Sequence, residues 1–429
     1  MSLQRKRIPV IIDTDPGVDD IIAILLAIAS PELEILAFII SFGNTDIDSS
    51  FLNILKAYQA IAGHLQRFSE DEDRFPNFCP KVKPILAKGS AGPLEGDLHS
   101  AQYFHGRDGL GDISERHPDL DLTPDTLSSC HPCLEISSRS GVDVALDFIR
   151  DMPSRSITYL VLGPLTNLAL MMRQDSETII NRIGRVVSMG GALDVPGNTS
   201  PVAEFNFFAD PYAVKELLIS PSMHKGLPLD RFLMLPLDIT TPHQLPFSVY
   251  RDVVDPLFYS TALPSVPTAE KSPLTHFTSS FLERTREIML EFGSDAVELH
   301  DIVAVWCAIE NPPFGEGDAI CMGEGWQTRN RIFDIERTGE ITRGMLVVDR
   351  RDDQSAYSPG ANRAEVQKEL ERLHYNNTIW ESTALPAPVE IEKAPIISNG
   401  LRGVLCVTHT PGPKTLLRLL LERVWGGVQ

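Results

Sequence analysis

Four aspartates lie close together near the start of the chain, in the segment Asp13–Asp20 (DTDPGVDD). They follow the apolar run Val10–Ile12 and precede the apolar run Ile21–Ala29, so they lie on a turn between a predicted strand and a predicted helix. Two unit charges about 4 Å apart repel by roughly 4 kcal/mol at an effective dielectric constant of about 20. A helix N-terminus offsets only about 0.3–1 kcal/mol per charge. The segment therefore predicts a site for a hard cation with oxygen ligands.

The four aspartates are not expected to share one role. Proline and glycine at positions 16 and 17 predict a tight turn, which folds Asp15 back toward Asp19 and Asp20. Asp13 still belongs to the strand, and we expect it to hydrogen-bond the turn rather than to bind a cation. The competing structural explanation is that Asp19 only caps the helix that follows.

Two other carboxylate motifs fit the segment less well. An aspartyl phosphotransferase motif, D-x-D-x-[T/V], is matched by Asp13 and Asp15, but Gly17 occupies its last position. An EF-hand loop needs a carboxylate at its twelfth position, where this sequence has Ile24, and it also needs two flanking helices. Both alternatives are therefore disfavoured.

Short, continuously apolar runs alternate with helical patterns along the chain. Such runs are expected of strands in a parallel sheet that is covered on both faces. The predicted strands are Val10–Asp13, Ile35–Ser41, Ile157–Gly163, Val186–Met189, Phe232–Leu237 and Met345–Asp349. The predicted helices between them are Ile21–Ala29, Phe51–Gly63, Val142–Arg150 and Leu165–Met172. This rhythm predicts an α/β fold with an open, mostly parallel, doubly wound (Rossmann-like) sheet flanked by helices. Ligands of such sheets bind at the carboxyl ends of the strands.

Residues 1–385 are predicted to form a single domain on this frame. Three polar, proline-containing segments look like insertions into it, near residues 66–80, 112–141 and 220–231. They lie between the predicted elements and lack the apolar periodicity of strands or helices.

Residues 386–429 are predicted to form a C-terminal extension. Within it, Leu401–Thr408 is a candidate strand, and Pro413–Trp425 is a predicted helix that starts on proline and ends at Gly426. Four leucines of that helix form one stripe. We expect the stripe to dock on the main domain, and a groove for a partner is the alternative.

Composition restricts the partners and the compartment. The chain has 429 residues and a formal net charge of −20, which argues against a nucleic-acid surface and against binding to an anionic membrane. No apolar run is long enough to span a bilayer, and Ile8–Ile12 is too short for the apolar part of a signal peptide. Six irregularly spaced cysteines suit a reducing compartment. We therefore predict a cytoplasmic protein that binds a small molecule.

The aspartate segment resembles the signature D-x-D-P-G-x-D-D of the inosine-uridine-preferring nucleoside hydrolase family. Further motifs of that family follow in the same order: Gly43-Asn44, His105–Gly111 (HGRDGLG), Gly163–Ala169 (GPLTNLA), Met189–Gly191, Asn198, Glu204–Asn206 and His300-Asp301. The resemblance runs from Ile8 to about Asp349 and leaves the tail and the three insertions outside it. It implies the nucleoside hydrolase fold and hydrolysis of the N-glycosidic bond of ribonucleosides to free base and ribose.

The resemblance also implies a role for individual residues. The expected ligands of a Ca²⁺ ion are Asp15, Asp20, Asp301 and the main-chain oxygen of Thr166. The residues expected to bind the ribose are Asp19, Asn44 and Asn206 at the 2′ and 3′ hydroxyls, Asn198 and Glu204 at the 5′ hydroxyl, and Met189 against the sugar. His105 would line the base side. The family further suggests a homodimer or homotetramer.

Breaking an N-glycosidic bond passes through an oxocarbenium-like sugar, so the site needs a water on one face and help for the leaving base on the other. Ca²⁺ accepts several oxygen ligands and could hold carboxylates, the ribose diol and the water together. Asp15 is the expected general base, and His300 is the expected acid that protonates the base. Two alternatives stay open: His300 and Asp301 could form a structural pair, and the chain could be a non-catalytic nucleoside or ribose binder.

The sequence departs from the family pattern at two places on the base side. The family usually has proline after the His-Asp pair, and this chain has Ile302 there. The aromatic residues of the family's base-covering loop are not identifiable between Arg284 and Leu299, where Phe292 is the only aromatic residue. The sugar side is therefore specified by the sequence, and the preferred base is not.

Overall fold

The structure is a computed structural model that describes residues 7–123, 131–219, 226–259, 261, 264–268, 271–315, 321–349, 372 and 403–427. Its strands are β1 (Ile8–Thr14), β2 (Leu33–Ile40), β3 (Ile85–Lys88), β4 (Glu135–Ile136), β5 (Thr158–Val161), β6 (Arg185–Met189), β7 (Phe232–Leu235), β8 (Gln244–Pro246), β9 (Ala296–Glu298), β10 (Gln327–Arg331), β11 (Asp334–Ile335), β12 (Leu346–Val347) and β13 (Val404–His409).

The helices cover both faces of the main sheet. They are α1 (Val18–Ile28), α2 (Ile47–Arg67), α3 (Gln102–His105), α4 (Ile113–Arg116), α5 (Gly141–Asp151), α6 (Thr166–Arg182), α7 (Phe205–Ala209), α8 (Pro211–Val214), α9 (Leu237–Thr240), α10 (Phe247–Val253), α11 (Pro273–Glu291), α12 (His300–Glu310) and α13 (Pro413–Trp425). None of the helices in the described part of the chain is long and apolar enough to cross a bilayer.

Nine strands of the described chain form one sheet, in the order β10-β13-β7-β6-β5-β1-β2-β3-β4. Neighbouring strands are parallel throughout, except that β10 runs antiparallel to β13. The chain moves outward from β1 through β2 and β3, and then returns to build β5, β6 and β7 on the other side of β1. This arrangement confirms the predicted open, mostly parallel, doubly wound sheet.

Strand β1 shows why the central strands carry continuous apolar runs. Val10 and Ile12 belong to the core on one face of the sheet, which α1, α2, α11 and α12 cover. Ile11 belongs to the core on the other face, under α5 and α6. Successive side chains of a strand point to opposite faces, so a strand covered on both faces leaves no solvent-facing position for a polar residue.

The strand order reverses at β1, and this reversal positions the site. Strand β1 pairs with β2 on one side and with β5 on the other. At such a point, the connections that leave the carboxyl ends of two neighbouring strands run to opposite sides of the sheet, and a crevice for ligands opens between them. The aspartate turn leaves β1 at this edge, and the turn Gly163–Thr166 leaves β5 beside it. The topology therefore brings together two motifs that are about 150 residues apart in the sequence.

One predicted strand lies outside the main sheet. Within Met345–Asp349, only Leu346 and Val347 form a strand, β12, which pairs antiparallel with β11. Leu346 is buried and Val347 is exposed, as expected of a two-stranded ribbon with one covered face. The apolar composition of the run did not distinguish this ribbon from a central strand.

One of the predicted insertions and the tail each contribute a strand to the main sheet. Strand β4, at one end of the sheet, lies within the segment 112–141, whereas residues 124–130 and 220–225 lie outside the described residues. In the tail, β13 lies between β7 and β10, and Cys406 pairs with Met234. Helix α13 places Leu416, Leu420 and Val424 in the same core as α1. The placement of the domain boundary at residue 385 stays a prediction.

We expect the tail to contribute to the stability of the whole domain. Leu420 is fully buried in the main core, so Leu420→Ala should lower the free energy of unfolding by roughly 2–5 kcal/mol. Urea denaturation measures this change. Leu290→Ala is the matched control, because Leu290 is also helical but half exposed. A loss no larger than that of the control would show that the tail is not part of the cooperative core.

Candidate functional site

Acidic side chains from the first turns of two helices meet at the carboxyl edge of the sheet. Asp19 and Asp20 lie in the first turn of α1, and Asp301 lies in the first turn of α12. One carboxylate oxygen of each lies within 4.8 Å of the others. The positive ends of two helix dipoles favour negative charge here, but their contribution is smaller than the mutual repulsion of three carboxylates.

Asp20 is fixed within this cluster by three hydrogen bonds. It accepts them from the Thr14 hydroxyl (2.6 Å), the Gly17 main-chain N–H (3.1 Å) and the Asn44 side-chain amide (2.8 Å). One oxygen of its carboxylate also lies within 4.8 Å of an oxygen of Asp301. Two buried carboxylates this close repel each other, so a proton or a cation between them would stabilise the pair.

Asp15 lies deeper than Asp19 and is enclosed by glycine turns. Its Oδ2 atom accepts a hydrogen bond from the Asn44 main-chain N–H at 2.8 Å. Its Oδ1 atom is buried and receives no hydrogen bond from any described residue. A Cβ atom at Gly163 would lie 2.5 Å from Oδ1, and one at Gly43 would collide with Oδ2. Both glycines are therefore required for the close approach of the two turns to this carboxylate.

The electrostatics of the cluster favour a bound cation. Burial and then the neighbouring carboxylates raise the pKa of Asp15 and Asp301 well above the ordinary value, and the same causes raise the pKa of Asp19 to about 7. Burial also raises the pKa of Asp20. A divalent cation would remove this repulsion, and the unpaired Asp15 oxygen and the oxygen-only donor set suit a hard ion.

Asp13 stands apart from the cluster, but its side chain does not hydrogen-bond the turn as the sequence predicted, because its partners lie on β5 and α6. It is fully buried and accepts hydrogen bonds from the Tyr159 hydroxyl (2.8 Å) and the Asn167 amide (2.9 Å). Burial raises its pKa to about 7. These contacts tie β1 to β5 and α6, so Asp13 holds the two motif-bearing strands together.

A cavity of about 770 Å³ opens beside the cluster. This volume is within the usual range for small-molecule sites. The residues predicted for the metal, the sugar and the base that line it are Asp19, Asn44, His105, Met189, Asn198, Glu204, Asn206, His300 and Asp301. The other three predicted residues, Asp15, Asp20 and Thr166, are buried at the ends of β1 and β5.

Two of the predicted sugar residues also organise the N-terminus of α7. Glu204 accepts hydrogen bonds from the main-chain N–H groups of Gly191 (2.7 Å) and Asn206 (2.7 Å). Asn198 accepts one from Phe205 at 3.0 Å. Burial raises the pKa of Glu204. These bonds place both polar side chains at the cavity wall with little freedom to move.

Asn206 and Thr166 are held by the strands that flank the switch point. The Asn206 side-chain amide donates to the Leu162 carbonyl at 2.6 Å and contacts the Met189 sulfur at 3.6 Å. The Thr166 hydroxyl donates to Asp210 at 2.6 Å. This bond fixes the Thr166 side chain, and the role of the Thr166 main-chain oxygen as a cation ligand stays a prediction.

His300 opens α12, and both of its ring nitrogens have partners. Nδ1 bonds the Thr240 hydroxyl at 2.8 Å, and Nε2 bonds the Glu298 carboxylate at 2.9 Å. Burial lowers the pKa of His300, but Glu298, with the carboxylates of Asp19 and Glu204, raises it above the ordinary value. The ring is therefore held in a form that can donate a proton. Ile302, at the position usually occupied by proline, is buried in the core.

His105 has the opposite electrostatic character. Its Nδ1 atom accepts a hydrogen bond from the Val18 main-chain N–H at 3.1 Å. Burial and the nearby charge of His300 lower its pKa to about 3. A Cβ atom at Gly17 would lie 2.5 Å from the ring, so the tight turn also allows this contact. His105 therefore stays neutral and carries its proton on Nε2.

Sequence reasoning missed several residues of the cavity wall. Gln244 on β8 and Glu298 on β9 both line the cavity, and Thr240 holds the imidazole of His300. Strands β8 and β9 are three residues long, too short for their periodicity to be detected. The signal that was available is the carboxylate two positions before His300.

Comparisons with known proteins agree with this architecture. A sequence profile of the inosine-uridine preferring nucleoside hydrolase family matches residues 10–375. Uridine nucleosidase 1 of Arabidopsis thaliana is 36% identical over 216 residues, which are 50% of this chain and 54% of that protein. The pyrimidine-specific ribonucleoside hydrolase RihA of Citrobacter koseri is 30% identical over 344 residues, covering 80% of this chain and 88% of RihA.

Solved structures show the same fold. An inosine-guanosine nucleoside hydrolase superposes with a TM-score of 0.62 at 20% identity, covering 98% of this chain and 99% of that chain. A purine-preferring ribonucleoside hydrolase from Gardnerella vaginalis superposes with a TM-score of 0.61 at 20% identity, covering 97% and 98%. At this level of identity the likeness concerns the fold, whereas the sequence profile covers most of the chain. This chain therefore belongs to the inosine-uridine preferring nucleoside hydrolase family of enzymes.

Proposed function

We propose that this enzyme hydrolyses the N-glycosidic bond of ribonucleosides and releases free base and ribose. The observation that carries the proposal is the buried aspartate cluster at the wall of a nucleoside-sized cavity, with His300 at the same wall. The relatives named as a uridine nucleosidase and as a pyrimidine-specific ribonucleoside hydrolase support the same reaction. The anionic cluster also suits an oxocarbenium-like sugar, because it favours the positive charge that develops there.

Asp15, Asp20, Asp301 and the main-chain oxygen of Thr166 would hold a Ca²⁺ ion in this proposal. Three observations support this assignment: the donor atoms are all oxygens, carboxylate oxygens of Asp20 and Asp301 lie within 4.8 Å of each other, and the Oδ1 atom of Asp15 is buried without a hydrogen-bond donor among the described residues. When bound, Ca²⁺ would supply a Lewis acid that neutralises the carboxylates and orients a water and the ribose diol. Asp19 approaches the same point and would bind the ribose.

Asp15 is the proposed general base. The hydrogen bond from the Asn44 main chain holds one of its oxygens in place, and its other oxygen has no donor among the described residues. That free oxygen can take the proton of the attacking water. General bases placed in this way typically contribute about 10²–10⁴-fold to the rate.

The sugar would be bound by side chains whose positions are already fixed. Asn44 gives its amide hydrogen to Asp20, which leaves its amide oxygen to accept a ribose hydroxyl. Asp19 and Asn206 would complete the recognition of the 2′ and 3′ hydroxyls. Asn198 and Glu204 would bind the 5′ hydroxyl, with Met189 against the sugar.

His300 is the proposed acid for the leaving base. Glu298 bonds its Nε2 atom, and this nitrogen would give its proton to the base once the base displaces that contact. His105 is neutral and lines the same cavity, so it would contribute a hydrogen-bond donor on the base side rather than a charge.

A cytoplasmic location remains part of the proposal. It is supported by the five cysteines of the described chain, all of which are free thiols. Assembly as a homodimer or homotetramer stays a prediction from the family resemblance.

Removal of the cation should abolish hydrolysis and loosen the fold. We expect a chelator to stop the release of base from a nucleoside panel, measured by chromatography, and added Ca²⁺ to restore it. Because the ion would bind only the folded state, a concentration of about 100 Kd should stabilise that state by about 2.7 kcal/mol, seen as a rise in Tm. The Tm of the Asp301→Ala variant should not rise when Ca²⁺ is added. Full activity after chelation would contradict the metal assignment.

Substitution of Asp15 or Asp301 should lower turnover, whereas substitution of a surface aspartate should not. We expect Asp15→Ala to lower kcat by about 10²–10⁴-fold, since it removes the general base, and Asp301→Ala to abolish turnover as well. Both variants should retain less calcium in metal analysis of the purified protein. Asp73→Asn, at an exposed position, is the matched control. If Asp15→Ala still hydrolyses nucleosides normally, the base is another group.

The role of His300 as an acid can be tested by comparing substrates whose leaving group must be protonated with one whose leaving group departs without a proton. His300→Ala should reduce kcat on inosine or uridine by about 10²–10⁴-fold. The loss should be far smaller on p-nitrophenyl riboside, whose leaving group departs without a proton. Equal losses on both kinds of substrate would show that His300 only binds or positions the ligand.

A further inference from the structure

We propose that Gln244 and Glu298 form the base-recognising edge of the cavity, and that Glu298 accepts a hydrogen bond from an N–H group of the base. This inference rests on the proposed nucleoside hydrolysis and extends it to the side of the site that the family motifs do not specify. It predicts a preference for bases that carry an N–H donor on the edge remote from the sugar.

The first support is the register of a short ribbon. Strands β8 and β9 pair antiparallel, with Gln244 directly opposite Glu298. Directly opposite residues of an antiparallel pair project from the same face with their Cβ atoms about 4.5–5.5 Å apart. Both side chains line the cavity. The ribbon therefore presents two neighbouring polar groups to one ligand.

The second support is the position of the ribbon relative to His300. The Glu298 carboxylate lies 2.9 Å from His300 Nε2. His300 lines the same cavity as Asp19 and Glu204, which are proposed to bind the sugar. The ribbon therefore adjoins the proposed sugar site through His300. A nucleoside with its ribose on the sugar side would extend its base toward Gln244 and Glu298.

The third support is the balance of donors and acceptors. A carboxylate only accepts hydrogen bonds, and a glutamine amide offers one acceptor oxygen and one donor group. His300 bonds the Oε2 atom of Glu298, so Oε1 is available to a ligand, and Oε2 would become available as well when the base displaces that contact. The nearby wall includes Met289 and Val297, which offer no hydrogen bond. A base that brings no N–H to this edge would leave the Oε1 atom of Glu298 without a hydrogen bond from the ligand.

Unpaired polar groups make such a site selective. A site built to hydrogen-bond a substrate rejects an analogue that lacks the matching group far more strongly than an apolar pocket does. Uracil and hypoxanthine carry a ring N–H on the edge in question. Purine riboside and 2-pyrimidinone riboside keep the ring systems but lack that N–H, so each nucleoside has a matched analogue.

The test compares kcat/KM within each matched pair, inosine with purine riboside and uridine with 2-pyrimidinone riboside. In the unmodified enzyme the N–H-bearing member should be preferred. Glu298→Ala should reduce that preference by about tenfold or more, as expected for a hydrogen bond to a charged group. Glu298→Gln keeps one acceptor oxygen and should retain part of the preference, and Gln244→Ala should also reduce it. Glu291→Gln, an exposed glutamate outside the cavity wall, should not change it.

The ratio within a pair separates recognition from an indirect effect through His300. If Glu298 acted only by positioning His300, both members of a pair would lose activity equally, and the unchanged preference would overturn the inference while hydrolysis itself stood. Similar behaviour of Glu298→Ala and Glu291→Gln would overturn it as well. If the unmodified enzyme hydrolysed no nucleoside, the proposed function would fail and this inference with it. Thermal denaturation of each variant confirms that it is folded.

Discussion

Mutual repulsion among buried carboxylates is the constraint on which the rest of the structure depends. Asp15, Asp19, Asp20 and Asp301 are gathered at one edge of the sheet, where burial disfavours the ionised form of all four and neighbouring charges disfavour it further for Asp15, Asp19 and Asp301. Helix dipoles and hydrogen bonds offset only part of this cost. A cation would offset the remainder, and this balance is the physical basis of the proposed metal site.

The fold supports this cluster with a few close contacts. Glycines at positions 43 and 163 allow two turns to touch the Asp15 carboxylate, and a side chain at either position would collide with it. Asp13 ties the first strand to its neighbour through Tyr159 and Asn167. The doubly wound topology supplies the crevice, because the strand order reverses at β1.

The two sides of the cavity differ in how tightly they are organised. On the sugar side, Glu204 and Asn206 are held by main-chain hydrogen bonds, so their positions follow from the backbone. On the base side, His300 depends on the side chains of Thr240 and Glu298. In the proposed function, the sugar side would therefore be the more rigid part of the site and the base side the more adaptable one.

The sequence by itself determined the class of fold, the four helices α1, α2, α5 and α6, and the local motifs of the sugar and metal side. These follow from short-range signals: apolar periodicity, turn residues and ordered motifs. Tertiary structure decided what depends on distant pairing. It placed β12 in a separate ribbon and β13 within the main sheet, and it brought Gln244 opposite Glu298. Strands of two or three residues carry too little periodicity for detection, and only their partners across the fold define them.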